Sequence, residues 1–139
     1  MKVRDAMAKT ISTVSPSDTV GRVAQLMKKE DAGFIPVCDG DRLVGVVTDR
    51  DLVVRCLAEG HSAPFDEPVA QVMSQGAHTI DAGEDLAAAA EIMDRQEIRR
   101  LAVVDGGRLV GVLSHGNLVQ ATRGEAPADR ATVGVTRGA

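Results

Sequence analysis

The sequence predicts an α+β protein made of two β-α-β-β-α units packed as a pseudo-two-fold pair. Three observations carry this expectation. First, the chain shifted by 66 residues matches itself without a gap, 3–52 against 69–118, with 14 of 50 aligned positions identical. Internal repetition of this kind defines the structural unit. Second, each copy holds two short β-rich runs joined by a turn and flanked by helical periodicity. Third, a lone half of about 50 residues would bury only about 60% of its unfolded surface. The halves are therefore expected to share one core.

The densest stretch of the match sets Asp39-Gly40-Asp41-Arg42-Leu43-Val44-Gly45-Val46 against Asp105-Gly106-Gly107-Arg108-Leu109-Val110-Gly111-Val112. A short strand at Thr13-Val14 opens the first copy. Pro16, Ser17 and Asp18 supply capping groups, and Val20, Val23, Ala24 and Met27 then recur at helical spacing up to about Glu30. Phe34-Ile35-Pro36-Val37-Cys38 and Leu43-Val44-Gly45-Val46-Val47 read as strands, with a hairpin over 39–42. Both runs are almost continuously apolar, so their sheet is expected to be covered on both faces. Thr48 caps a second helix over about 49–59.

The second copy repeats the order. Thr79-Ile80 is its first strand, followed by a helix over 84–95 whose Ala87-Ala88-Ala89-Ala90 run is strongly helix-forming. Glu84 and Asp85 fall in the first turn of that helix, where acids meet the macrodipole favourably. Strands over 101–104 and 109–113 and a helix from His115 complete the copy. Two prolines, Pro64 and Pro68, mark the connector. These boundaries give a first module over 1–60, a linker over 61–68, a second module over 69–122 and a tail over 123–139 with little periodicity.

Composition narrows the function. The chain has two Phe and no Trp or Tyr, which removes the stacking platform of a single-strand nucleic-acid binder. A net charge of −4 argues against binding a phosphate backbone. No apolar run approaches the roughly 20 residues of a membrane span, and the first residues lack a signal-peptide apolar core. Two cysteines without such a signal fit a reducing cytoplasm. The expected setting is soluble and cytoplasmic, with neither nucleic acid nor membrane as partner.

The chemistry concentrates at Gly45-Val46-Val47-Thr48-Asp49-Arg50-Asp51-Leu52. Thr48 followed three residues later by Asp51 approximates a capping box, which needs no ligand. The same geometry serves a second purpose. A helix N-terminus presents free N–H groups and partial positive charge to a phosphate, and an Asp in the first turn accepts hydrogen bonds from both hydroxyls of a ribose. Charge-assisted bonds of this kind are worth about 1.5–3 kcal/mol each.

Taken with the repeat and the element order, the Val3-Arg4-Asp5-Ala6-Met7 start, the Ile35-Pro36-Val37 strand, the Gly45-x-Val47-Thr48 turn and Asp51-Leu52 resemble the CBS-domain family. That family's β-α-β-β-α modules occur in tandem as a Bateman pair, and the resemblance covers about residues 3–120. It looks most like short stand-alone two-CBS proteins of the hypoxic-response type. What the resemblance implies is a regulatory module that binds an adenosine derivative (AMP, ADP, ATP or S-adenosylmethionine) in clefts between the modules. It implies no required cofactor and no catalysis.

Carried over residue by residue, one cleft would join Val46, Thr48 and Asp51 with Ala77, His78, Ile98, Arg99, Arg100 and Ala102. Thr48 would hold phosphate, Asp51 ribose, and Arg99 or Arg100 would offset phosphate charge. The other would use Ile11, Ser12, Gly33, Phe34 and Pro36 with Ser114 and Asn117. There Asn117 stands where the family has Asp, and no basic residue matches Arg99 and Arg100. This second cleft is expected to be weaker or empty, since Asn hydrogen-bonds without charge assistance.

Cys38, Cys56, His61, His78 and His115 lack the CxxC or HxxxH spacing of a zinc site, so no metal is expected. Cys38 aligns with Val104 and reads as a small packed thiol. No nucleophile elbow, Walker loop or GxGxxG occurs. With no effector domain fused to the chain, a signal would pass through a homodimer or a separate effector protein. The resemblance implies dimerisation through helices, for which Val20, Val23, Met27, Leu86, Ile92 and Met93 would supply apolar surface. The competing reading is a ligand-independent homodimeric interaction or stress-response scaffold.

Overall fold

The computed structural model describes residues 1–75 and 78–124. The expected tail therefore lies, from residue 125 onward, outside the described residues, and so does Ala77. In chain order, Val3–Ala6 form one helical turn, α1. Helix α2 spans Val20–Glu30, strands β1 and β2 span Phe34–Asp39 and Arg42–Thr48, and α3 covers Asp49–Asp51. A π-helical segment, Leu52–Leu57, continues α3. Single 3₁₀ turns at Pro64–Asp66 and Val69–Gln71 follow. Then come β3 (Thr79–Asp81), α4 (Leu86–Gln96), β4 (Arg100–Asp105), β5 (Arg108–Ser114) and α5 (His115–Thr122). The fold is α+β.

Most elements form for the reasons the sequence supplies, with three local corrections. The N-cap of α2 is Thr19, whose hydroxyl accepts from the Arg22 amide (3.2 Å); Asp18 instead caps the preceding turn through the Ser15 amide (2.7 Å). Helix α4 begins at Leu86, so Glu84 and Asp85 precede its first turn. Glu84 is held in a turn by the Asp81 carbonyl and Asp85 is extended at the N-cap. The short strand expected at Thr13-Val14 reduces to a parallel bridge between Val14 and Val37. Both long helices end on a left-handed residue, Asp31 and Glu97, at matching points of the two repeats.

The hairpins β1/β2 and β4/β5 are the same structure twice. Pairing runs Phe34 with Thr48 through Asp39 with Arg42, and Arg100 with Ser114 through Asp105 with Arg108. The register slips between Val37 and Cys38 in one and between Val103 and Val104 in the other. Those steps are 66 residues apart, as in the sequence match.

The compact units differ from the sequence repeats. One comprises Ser12–Ala77, the other Met1–Ile11 with the chain from His78 onward. Each unit thus takes the lead-in segment of the other repeat. Residues 1–8 hydrogen-bond into the second unit: the Val3 amide donates to the Glu84 carbonyl (2.9 Å), Arg4 to Ala82 (3.1 Å) and Leu86 to Met1 (2.9 Å). Residues 69–74 do the reciprocal thing, with Val69 donating to Asp18 (2.8 Å) and Ala70 to Pro16 (3.1 Å). The expected modules over 1–60 and 69–122 therefore describe the repeat in the sequence, while the packing assigns 1–11 and 69–77 the other way round.

Each unit has its own core. Val23, Met27, Ile35, Val37, Val47 and Cys56 pack with Val69 and Val72 in the first. Leu86, Ala89, Met93, Leu101, Val103 and Leu113 pack with Val3 and Ala6 in the second. Val3, Ala6, Val69 and Val72 of the borrowed segments are fully buried in these cores, at about 1.5–3 kcal/mol for each valine. Val20, Val23, Met27, Leu86 and Met93 are likewise consumed inside their own units and Ile92 packs against the second core. The five buried residues leave little apolar surface for a dimer, and Ile92 is partly exposed. Among the described residues, the exposed large apolar side chains are instead Val53, Val54, Leu57 and Phe65, besides Met1.

The crossing of each borrowed segment over its host strand explains one glycine pair. Val46 and Ser74 exchange both backbone hydrogen bonds (2.9 and 2.8 Å), as do Ala8 and Val112 (2.9 and 3.0 Å). A Cβ on Gly45 would stand 2.8 Å from the Ser74 carbonyl oxygen, and one on Gly111 2.8 Å from that of Ala8. Backbone cannot yield as a flexible side chain does. Gly45→Val is expected to destabilise the fold by about 1–3 kcal/mol through overpacking, read as a lower urea midpoint at unchanged slope. An unaltered midpoint would show that the crossing is not held this tightly.

Candidate functional site

The strand-to-helix junction of the first unit closes a reciprocal capping box. The Asp51 amide donates to Thr48 Oγ1 (3.1 Å), and the Thr48 amide donates to Asp51 Oδ2 (2.9 Å). Such a box is worth about 1 kcal/mol. Asp51 is only 9% exposed, and its second oxygen, Oδ1, faces Arg55 Nη1 at 3.9 Å. A carboxylate has roughly four lone-pair directions, so the box leaves acceptor capacity on Oδ1. Both readings of Thr48 and Asp51 are thus compatible with one geometry.

The second unit repeats the junction with neutral groups. The Asn117 amide donates to Ser114 Oγ and the Ser114 amide to Asn117 Oδ1, both at 3.0 Å. Asn117 is 1% exposed. A carboxylate so deep would need a cation to offset desolvation, and the position one turn on is Ala121. Where Asp51 has Arg55, Asn117 has only a methyl group.

Within each unit, the sheet end gathers predicted residues from both site sets. Thr48 and Val46 lie opposite Phe34 and Pro36. Arg100 and Ala102 lie opposite Ser114 and Val112. The Gly33 carbonyl accepts from the Asp49 amide (3.1 Å), and the Arg99 carbonyl accepts from the His115 amide (2.7 Å). The backbone is the same at both places, but one repeat carries no side chain there and the other a guanidinium. Ser12 hydrogen-bonds Glu30 through its hydroxyl. Ile11 is half-buried and belongs to the unit that begins again at His78.

His78 adopts a left-handed backbone, φ 64°, a conformation seen in only a few per cent of non-glycine residues, while its carbonyl accepts from the Ala102 amide (2.7 Å). Ile98 and Arg99 border a cavity of about 440 Å³ inside their own unit, together with Met93, Glu97, His115 and Leu118. Ala102 is buried on β4.

A model described as "CBS domain" matches residues 3–57 and 69–124. The chain belongs to the CBS-domain family. Among its relatives is the CBS domain-containing protein YhcV of Bacillus subtilis, 38% identical over 116 residues, covering 84% of this chain and 81% of YhcV. Hypoxic response protein 1 of Mycobacterium tuberculosis is 30% identical over 118 residues, 84% of this chain and 82% of its own. Its crystal structure, with two coordinated zinc ions, superposes with a TM-score of 0.78 at 30% identity, over 86% of this chain and 98% of that one. CBSX2, solved in complex with AMP, superposes equally well (TM-score 0.78) at 31% identity, over 88% and 96% of the two chains. The chain is therefore a CBS pair, a module of a regulatory type.

One neighbour of Asp51, Arg55, was not singled out from the sequence. Its Nη1 donates to the Met73 carbonyl (3.0 Å) and to Ser74 Oγ (3.2 Å) while facing Asp51. The four-residue spacing from Asp51 was the available signal. Among the described residues, no group of three or more His, Cys, Asp or Glu is placed to hold a metal ion. No helix there is long and apolar enough to cross a membrane.

Both cysteines are free and buried. Burial pushes the Cys38 thiol up, helped by the Asp41 carboxylate. Burial also raises Cys56, with Glu67 and Glu59 adding to it. Thiolates carry the reactivity, so both are expected to resist iodoacetamide at pH 8 in the native protein and to label fully in denaturant. Because the unfolded thiols, near 9.0, ionise before the folded ones, stability falls as pH rises above that value. Rapid native labelling of either cysteine would contradict this placement.

Proposed function

We propose that this CBS pair senses an adenosine-containing ligand, AMP, ADP, ATP or S-adenosylmethionine, and passes the change to a dimer mate or a separate effector protein in the cytoplasm. One observation carries the reading: a nearly buried carboxylate at a helix start, with one oxygen committed to its own cap and Oδ1 still able to accept hydroxyls. A ribose presents two such donors side by side. Thr48, at the same N-terminus, suits a phosphate, and Arg99 or Arg100 offsets its charge. In this reading Val46, Ile98 and Ala102, with Ala77 and His78, are the residues assigned to the adenine face. The AMP complex of CBSX2 supports this choice of ligand class.

In the same reading the second set, Ile11, Ser12, Gly33, Phe34, Pro36, Ser114 and Asn117, binds more weakly. Its acceptor is uncharged and Gly33 stands where the first set has Arg99. A sensor of this type transmits only the ligand's differential affinity between two states.

The alternative, a ligand-independent homodimeric scaffold in a stress response, has its own observation. Leu57 is 60% exposed and Val53 56%, with Val54 on the same helix, which is apolar surface such a dimer would cover. Likeness to a hypoxic response protein favours the physiological half of that reading.

Asp51→Asn separates the two. Asn117 shows that an amide preserves the box, so the variant is expected to keep its stability while losing charge assistance. Calorimetry should then show AMP, ADP, ATP or S-adenosylmethionine binding the wild type about 10- to 100-fold more tightly than the variant, the equivalent of about 1.5–3 kcal/mol. Equal affinities would remove Asp51 from the site. A wild type that binds none of the four would leave the scaffold.

A further inference from the structure

We propose that Arg55 is the positioning residue of the Asp51 carboxylate and couples its occupancy to the borrowed segment Met73-Ser74. The inference rests on the adenosine reading above and deepens it. One guanidinium joins three elements. Arg55 rises from the π-helical segment, its Nη1 donates to Met73 O (3.0 Å) and Ser74 Oγ (3.2 Å), and it stands 3.9 Å from Asp51 Oδ1. Ser74 is in turn tied to Val46 of β2 by reciprocal backbone bonds. The Arg55 side chain is 46% exposed, so the pair adds little to stability.

The chain contains its own control. Position for position, the second repeat has Asn117 for Asp51 and Ala121 for Arg55, so anion and cation are replaced together. The backbone changes at the same place. The Val53 carbonyl accepts from Ala58, five residues on, while its counterpart Val119 accepts from Arg123, four residues on. One turn is widened by a residue in the repeat that carries the charged pair, and such π segments are often found at functional sites.

The chemistry gives the pair a selective role. Arg55 balances the charge of Asp51, so Oδ1 favours neutral hydroxyl donors over a metal ion or an ammonium group. When hydroxyls occupy Oδ1, its pull on the guanidinium weakens. Arg55 is then free to strengthen its bonds to Met73 and Ser74, and the segment tightens.

Amide hydrogen exchange and calorimetry on the full chain, with AMP as probe, test this with Arg55→Ala and Arg55→Lys. In wild type, AMP is expected to slow exchange at Ser74 and Val46. Arg55→Ala should raise the Kd for AMP roughly tenfold, the effect of losing one charged neighbour, and abolish the AMP-dependent slowing. Arg55→Lys should restore affinity through its charge but not the slowing, because a point charge does not reproduce the guanidinium fork. Wild-type affinity together with wild-type slowing in Arg55→Ala would overturn the coupling. Failure of the wild type to bind AMP would overturn the adenosine reading for this ligand and the coupling with it. Unchanged Ser74 exchange in ligand-free Arg55→Ala would show that Arg55 does not hold this segment and would overturn the coupling.

Discussion

Two pairs of backbone hydrogen bonds, Val46 with Ser74 and Ala8 with Val112, decide how this chain is built. Each stitches the lead-in segment of one repeat onto the last strand of the other. Val46, two residues before Thr48, is held by the first of them. They require the strands to be bare at Gly45 and Gly111, because a carbonyl crosses where a Cβ would stand. They also carry Val3, Ala6, Val69 and Val72 into cores that the repeats do not complete for themselves. A segment that buries several large apolar groups contributes several kcal/mol, comparable with the whole net stability of a small domain. Neither repeat, cut at its sequence boundary, retains that contribution.

On this frame the two junctions diverge in charge but not in shape. Thr48/Asp51 and Ser114/Asn117 close the same box at nearly the same distances. The box needs only an oxygen acceptor, which amide and carboxylate both provide. The difference therefore lies in what else the residue can do. Asp51 keeps a charged oxygen beside Arg55, whereas Asn117 is sealed at 1% exposure next to Ala121. Capping contributes about 1 kcal/mol and each charged hydrogen bond to a ligand about 1.5–3 kcal/mol. A change that spares the first and removes the second is what distinguishes the repeats.

Much of this was readable from residue order. The repeat, both hairpins, the two long helices and the box at Thr48 follow from local periodicity and turn chemistry, which act over a few residues. The exchange of segments 1–8 and 69–74 was not readable. Both copies of the lead-in carry Val and Met at matching places, Val3 and Met7, Val69 and Met73, so either could fit either host. Connectivity and long-range packing made the choice. The same limit hid Arg55, whose partners Met73 and Ser74 lie 18 and 19 residues away, and the widened turn beneath it. It also misassigned the helical apolar residues, since periodicity identifies an apolar face without saying what covers it. Val23 and Met27 are covered from within, while Val53 and Leu57 are not.

Removal of residues 1–8 tests the exchanged architecture most directly, with amide exchange recorded across the chain. Lost protection should fall on β4, β5 and α5, some ninety residues or more from the cut, while the Val46 and Ser74 amides stay protected. Loss centred on residues 12–57, the repeat to which the deleted segment belongs by sequence, would contradict the account.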